Sequence, residues 1–378
     1  MTDLVLSQES KEYQALARDF FQNEVASKSE KLDHEGKFPE ELYKAAFELG
    51  LASSYIPEAY GGLGLPLWDC AVMAEEAGSA SGGLAAVFEG NFLAAAAVIL
   101  SGTDKQKEEY LSSLCTEAGL AGFCFNSKSE TESYPSASAS VQKQGDKFIV
   151  NGMKVSCING RHASWYFLLA KDLSNGRNSA LVFKADLPGI TRGAEAAKLG
   201  KRCADICLVD FENLELNESN LLGSFGEGDE VLLESNCISA PLLAAHAAGL
   251  IRNALENSIR YSKERETFGK PIGKHQAIGF MLADMAKNAE CARLMSWKAA
   301  SLFDQGIKDP LQALSARAFA IDAAMAAATD AVQIYGGYGY SKEYPVERLM
   351  RDAKMMQMLA GSSLEIKCRI AEEQLALI

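Results

Sequence analysis

Residues 265–278 read Arg265-Glu266-Thr267-Phe268-Gly269-Lys270-Pro271-Ile272-Gly273-Lys274-His275-Gln276-Ala277-Ile278. The stretch separates two long runs of helical apolar periodicity, residues 239–263 and 275–305. On its residues alone, Phe268 reads as a core side chain and Arg265 as half of a surface ion pair. Two further helical runs follow, 310–334 and 365–377. The alanine-rich segment 323–328 lets helices approach closely, as in an antiparallel bundle.

Upstream the texture differs. Residues 148–155 (Phe-Ile-Val-Asn-Gly-Met-Lys-Val) read as a hairpin turning at Asn151-Gly152. Strand candidates follow at 165–169, 180–183, 189–192 and 206–211, and their spacing predicts a compact antiparallel barrel or sandwich. Nearer the N-terminus, Tyr13, Leu16, Ala17, Phe20 and Phe21 recur at helical spacing, as do Leu42, Ala45, Ala46, Leu49 and Leu51. The expected organisation is α+β in three parts: a helical domain at 1–118, a β domain at 119–226 and a helical bundle at 227–378.

The chain has 378 residues, 48% hydrophobic and 23% charged, with a net charge of −13. Such a length fits two or three domains, and the acidic balance argues against nucleic acid or anionic membrane surfaces as main partners. Apolar runs such as 92–100 fall short of a membrane span. No secretory h-region is present at the N-terminus, so a cytoplasmic protein is expected. Nine cysteines show no metal-ligand spacing and read as reduced thiols, and no metal site is expected.

Four blocks carry a resemblance. Ile56-Pro57-Glu58-Ala59-Tyr60-Gly61-Gly62-Leu63-Gly64 is similar to an I-P-E-x-x-G-G-L-G loop. Residues 265–278 resemble an R-x-x-F-G-x-x-I…H-Q segment, and Gln333-Ile334-Tyr335-Gly336-Gly337-Tyr338-Gly339-Tyr340 a Q-x-x-G-G-x-G-[FY] turn. The block Arg348-Leu349-Met350-Arg351-Asp352-Ala353-Lys354 follows in the expected place. In this order the blocks resemble the acyl-CoA dehydrogenase family over essentially the whole chain. The resemblance implies a helical N-terminal domain, a middle β-barrel or sandwich and a C-terminal four-helix bundle, assembled as a dimer or a dimer of dimers. It implies FAD as cofactor, with Arg265, Phe268, Gln276, Gln333, Gly336 and Gly337 as its contacts. A guanidinium suits a pyrophosphate, and glycines let backbone come close to it.

The same resemblance implies losses. Relatives carry the glutamate that removes the α-proton in a [YF]-E-G-[TS] segment, and here the matching residue is Ala360 of Leu359-Ala360-Gly361-Ser362. Alanine cannot act as a general base. An alternative home for the base, matching 236–241, holds no carboxylate. The flavin-holding [YC]-x-x-T-E-P-x-A-G-S-D strand matches residues 123–133 and places Thr131 and Glu132 at its glycine and serine. The W-I-[TS]-N-G stretch matches Ser156-Cys157-Ile158-Asn159-Gly160. Two arginine positions near the substrate match Ala240 and Glu372. Glu132 and Glu365 are the candidate replacement acids or bases. His246 and His275 read as core residues, while His34 and His162 have no evident partner.

In the family each FAD lies across a dimer interface. The contacts supplied to the neighbour are retained here, and those a chain supplies to its own FAD are largely lost. Three readings stay open: an FAD-associated oxidoreductase acting on an acyl thioester (coenzyme A or acyl carrier protein) without the usual base; a non-catalytic subunit completing the FAD site of a catalytic paralogue; and a cofactor-free structural or binding homologue.

Overall fold

The computed structural model describes residues 5–116, 118–125 and 137–376. Its N-terminal part is helical: α1 (Gln8–Asp19), α2 (Ser29–Glu35), α3 (Glu40–Glu48), α4 (Leu67–Ala80) and α5 (Gly82–Ser101). Ser7 starts α1 by accepting the Ser10 N–H, and Ser81 starts α5 by accepting that of Leu84. Nearly every residue of α4 and α5 is buried, so both are apolar all round rather than amphipathic.

Eight strands follow: β1 (Ala121–Phe125), β2 (Ala139–Gln144), β3 (Lys147–Ile158), β4 (Trp165–Asp172), β5 (Asn178–Lys184), β6 (Ile190–Glu195), β7 (Ile206–Asn217) and β8 (Leu221–Leu222). They form one sheet in the order β6-β7-β3-β1-β4-β5-β8. β1 and β2 lie end to end in the single slot between β3 and β4, each antiparallel to β3 and parallel to β4. The sheet is therefore mixed rather than purely antiparallel.

The hairpin expected at Asn151-Gly152 is not formed. β3 runs straight through these residues, because β2 on one edge and β7 on the other hold it extended. Asn151 and Gly152 instead mark a bulge where the β3–β7 register shifts, and Asn151 Oδ1 accepts the Asn213 N–H at 2.8 Å. The actual turn is Gly145-Asp146, between β2 and β3, with Gly145 at φ +64.

The C-terminal part contains α6 (Gly228–Glu264), a hairpin of β9 (Glu266–Thr267) and β10 (Lys270–Pro271), α7 (Gln276–Asp304), α8 (Pro310–Tyr335), α9 (Val346–Met356) and α10 (Ser363–Ala376). α6 is the central element, packing against α4, α5, α7 and α8. Its crossing with α4 is backbone on backbone. A Cβ at Gly78 would fall 2.1 Å from the His246 carbonyl oxygen, and one at Gly249 would fall 2.1 Å from that of Glu75. The buried carboxylates Glu75 and Glu76 tie this crossing to its neighbours. Arg252 reaches both (3.1 and 2.6 Å), Arg293 of α7 reaches Glu75 (2.8 Å) and Arg18 of α1 reaches Glu76 (2.9 Å).

α5 and α6 are each long and apolar enough to cross a membrane by length and composition, which the linear apolar runs did not suggest; both are buried inside the protein.

Candidate functional site

The turn between α9 and α10 carries Ala360 at φ +54 and Gly361 at φ +99. A left-handed alanine is strained and persists only where its surroundings hold it. Here the buried Arg317 of α8 does so: one guanidinium nitrogen, Nη2, donates to the carbonyl oxygens of Leu359 (2.6 Å), Ala360 (2.9 Å) and Gly361 (3.2 Å). Ala360 itself is 1% exposed.

Carboxylates around this turn are engaged. Ser362 and Glu365 cap α10 reciprocally: the Ser362 N–H donates to Glu365 Oε2 (2.6 Å), and the Glu365 N–H to Ser362 Oγ (3.2 Å). Glu365, a candidate replacement base, thus serves as the helix cap. Asp322 accepts from Gln357 (2.8 Å), Ser363 (2.8 Å) and Lys367 (2.5 Å). Burial acts to raise its carboxyl, but these donors outweigh burial and hold it below the ordinary range.

Behind the turn lies a fully buried ionic cluster. The Lys201 ammonium donates to both oxygens of Glu89 on α5 (2.7 and 2.6 Å), and His246 Nδ1 lies 3.1 Å from Glu89 Oε1. Burial pushes the Glu89 carboxyl up, yet Lys201 and His246 outweigh it and hold it at about 2. Burial also holds the His246 imidazolium below its usual range, so the ring is neutral and donates through Nδ1. Lys201 has φ +48, and its N–H donates to Asp352 Oδ1 at 2.5 Å. Asp352 is fully buried, which raises its carboxyl to about 6.

The strand matched to the flavin-facing motif is closed by its own packing. Ile158 is fully buried and sits against Gly90 of α5. Asn159 donates to the carbonyls of Val87 (2.9 Å) and Ala121 (3.2 Å). Thr131 and Glu132 lie outside the described residues. Ala240 is buried within α6 and Glu372 is exposed on α10.

The remaining candidates face outward. Arg265 ends α6 with its N–H on the Tyr261 carbonyl (2.8 Å), and its guanidinium sits 6.0 Å from the Tyr338 ring centroid. Among the described residues it makes no ion pair. Phe268, at the tip of the β9–β10 hairpin, has φ +52 and is 97% exposed, so it is not a core residue. A groove of about 430 Å³ brings Arg265, Gly336 and Gly337 together with Tyr261, Tyr335 and Tyr338. Phe268, Gln276 and Gln333 are exposed but do not line it. Nothing stands within 4 Å of where a Cβ would sit on Gly336 or Gly337, so the backbone there is open to an approaching group. A guanidinium, aromatic faces and bare backbone suit the pyrophosphate side of FAD.

Of the histidines, His162 is oriented by the buried Asp205 (3.0 Å) and stacked on Phe38 (4.1 Å). His275 Nε2 bonds Thr267 Oγ1 at 3.1 Å. Sequence reasoning missed Arg317, Glu89 and Lys201. Two of them had a signal: Glu89 is the only charge in the apolar run 84–100, and Arg317 the only one between Ala313 and Ala320.

Comparison with known proteins agrees with this architecture. The model of the acyl-CoA dehydrogenase N-terminal domain matches residues 7–118, and that of the C-terminal domain matches residues 226–376. An acyl-CoA dehydrogenase of Bacillus subtilis is 35% identical over 362 residues, covering 95% of this chain and 96% of the relative. A probable medium-chain specific acyl-CoA dehydrogenase of Caenorhabditis briggsae is 34% identical over 364 residues, covering 95% of this chain and 88% of the relative. The structure of butyryl-CoA dehydrogenase from Megasphaera elsdenii superposes with a TM-score of 0.89 at 31% identity, covering 99% of this chain and 100% of that one. Two domain matches and full-length relatives above 30% identity leave one assignment: this chain belongs to the acyl-CoA dehydrogenase family.

Proposed function

We propose that the protein is an FAD-associated member of this family that acts on an acyl thioester, carried by coenzyme A or an acyl carrier protein, without the usual base for α,β-dehydrogenation. The observation that carries the reading is the turn at 359–363. Its backbone is held in place by Arg317, its side chain at 360 is a methyl group, and the carboxylates beside it, Glu365 and Asp322, are committed to a helix cap and a hydrogen-bond cluster. A carboxylate with such fixed partners is poorly placed to take a carbon-bound proton.

Arg265, Gly336 and Gly337 would hold the FAD pyrophosphate, with Phe268, Gln276 and Gln333 around it. When bound, FAD supplies a two-electron acceptor or donor. The exposure of this set supports its use by a neighbouring chain, in a dimer or a dimer of dimers. The test is Ala360→Glu, assayed with butyryl-CoA and an artificial electron acceptor. The expected result is negligible dehydrogenation by the natural chain and a clear gain in the variant. A natural chain that already dehydrogenates at a rate the variant leaves unchanged would overturn the reading.

The contrast between the open outward groove and the self-packed strand at Ile158–Asn159 favours a second reading. In it the chain is a non-catalytic subunit that completes the FAD site of a catalytic paralogue. Purified alone it should bind little flavin, and co-expression with the paralogue should restore about one flavin per heterodimer; no restoration would sink this version. A chain that stays colourless in both settings would leave the cofactor-free homologue.

A further inference from the structure

Two consecutive residues of α9 fasten the loop that precedes β7. Arg351 Nη1 donates to the Leu199 carbonyl (3.0 Å), and Asp352 Oδ1 accepts the Lys201 N–H (2.5 Å). Gly200, between them, lies backbone on backbone with α9: a Cβ there would fall 2.0 Å from the Arg351 carbonyl oxygen. So fastened, Lys201 keeps its left-handed backbone and its ammonium reaches Glu89. The next residue, Arg202, already lines a cleft of about 550 Å³, together with Asp33, His34, Glu347 and Arg348.

The two fastenings differ in charge. Arg351 is answered by Asp33 (2.7 Å) and Glu347 (2.6 Å). Asp352 is 3% exposed and makes no ion pair among the described residues. Arg348 on its own helix and Asp33 on α2 act on it from farther off, with opposite signs. The loop brings the Lys201 N–H and the Cys203 thiol, whose proton burial holds on. From α5 come the uncharged Gly82 and, farther along, Glu89, which Lys201 and His246 of α6 already answer. Arg317 and Asp322 of α8 are bound at the other end of α9, to residues 357–367. One amide donor returns less than the water that a carboxylate gives up on burial.

We propose that the 199–201 loop is a pH-sensitive latch: it stays shut while Asp352 carries a proton, and ionisation of Asp352 favours its swing into the cleft, which takes the Lys201 ammonium off Glu89. The protonated acid still accepts the Lys201 N–H through its carbonyl oxygen, so closing needs no charge. Opening hands the carboxylate to water in the cleft, and the proton goes to solvent.

Hydrogen exchange of the full chain by mass spectrometry, at pH 5 to 8 and corrected for intrinsic rates, tests this. The reporter is the peptide carrying the Lys201 and Ala204 amides, which bond Asp352 and the Lys201 carbonyl; the centre of α5 is the reference. A carboxyl at about 6 when enclosed and 3.8 in water makes opening about tenfold more frequent at pH 8 than at pH 5. The reporter should also be at least tenfold less protected than α5 at every pH, as a local opening requires. In Asp352→Asn, checked by thermal melting, its exchange should stay flat to within about twofold. In His34→Gln, on the cleft, the natural profile should persist. A flat profile in the natural chain, or protection equal to that of α5, overturns the latch whether or not the variants fold. A profile that survives Asp352→Asn, or vanishes in His34→Gln, overturns it as well.

Discussion

Lys201→Met removes the one cation among the described residues that touches the fully buried Glu89 carboxylate, at 2.6 and 2.7 Å. Breaking a buried pair from one side leaves an uncompensated charge, a cost of about 3–5 kcal/mol. An independent figure follows from the carboxyl itself, held at about 2 against 4.5 when unfolded. That difference corresponds to roughly 3 kcal/mol of stability at neutral pH. Because the folded value is the depressed one, this stability is fully present above pH 4.5 and is lost as pH falls towards 2. In Lys201→Met the carboxyl rises, so the penalty should be largest at pH 7.5 and shrink by pH 5, where Glu89 can take up a proton. Glu89→Leu/Lys201→Met removes both charges and should lie within about 1 kcal/mol of the natural protein. Urea denaturation of the three proteins at both pH values provides the assay. A single variant within 1 kcal/mol of the natural protein at pH 7.5, or a double variant as damaged as the single, would refute the reasoning.

Asp352→Asn keeps the acceptor for the Lys201 N–H and removes a charge that burial disfavours. Since the folded carboxyl is raised to about 6, its cost is present above pH 6 and gone below about 4; the variant should melt higher than the natural protein at pH 8 but not at pH 4. Arg317→Met abandons three buried carbonyls of the 359–361 turn and should cost roughly 3 kcal/mol in chemical denaturation, with faster amide exchange confined to that turn and the start of α10. The Asp304 carboxylate caps α4 across the fold, accepting from Leu67 N–H (2.7 Å) and Trp68 N–H (2.9 Å), so Asp304→Ala should cost about 1 kcal/mol. Phe268→Ala touches an exposed tip and should leave the melting temperature of the apo chain unchanged while lowering the flavin retained on gel filtration; a large loss of stability would mean that the ring is packed in solution.

Half of the expected contact set meets in the outward groove, Arg265 from the end of α6 with Gly336 and Gly337 of one turn, while Phe268, Gln276 and Gln333 stay outside it. That residue 360 is an alanine is plain in the sequence, and its match to the position of the usual base is what the resemblance implies. What Glu365 does was not legible. Its distance from Ala360 in sequence is compatible with a base, and only the reciprocal bonds with Ser362 make it a cap. Asn151-Gly152 shows the same limit from the other side. The dipeptide permits a tight turn, but ladders from β2 and β7, supplied by segments on either side of it in the chain, keep it extended.

Periodicity, turn residues and four ordered blocks therefore determined the succession of helices, sheet and bundle. The buried cluster belongs to the tertiary structure alone. Glu89, Lys201 and His246 come from three distant segments, and their significance lies in contacts to Glu89 of about 3 Å and in exclusion from water. An ionisable side chain in a sequence carries no record of the dielectric around it. Whether Glu89 is a solvated surface charge or a carboxylate held at about 2 was decided when α5, α6 and the loop carrying Lys201 closed over it.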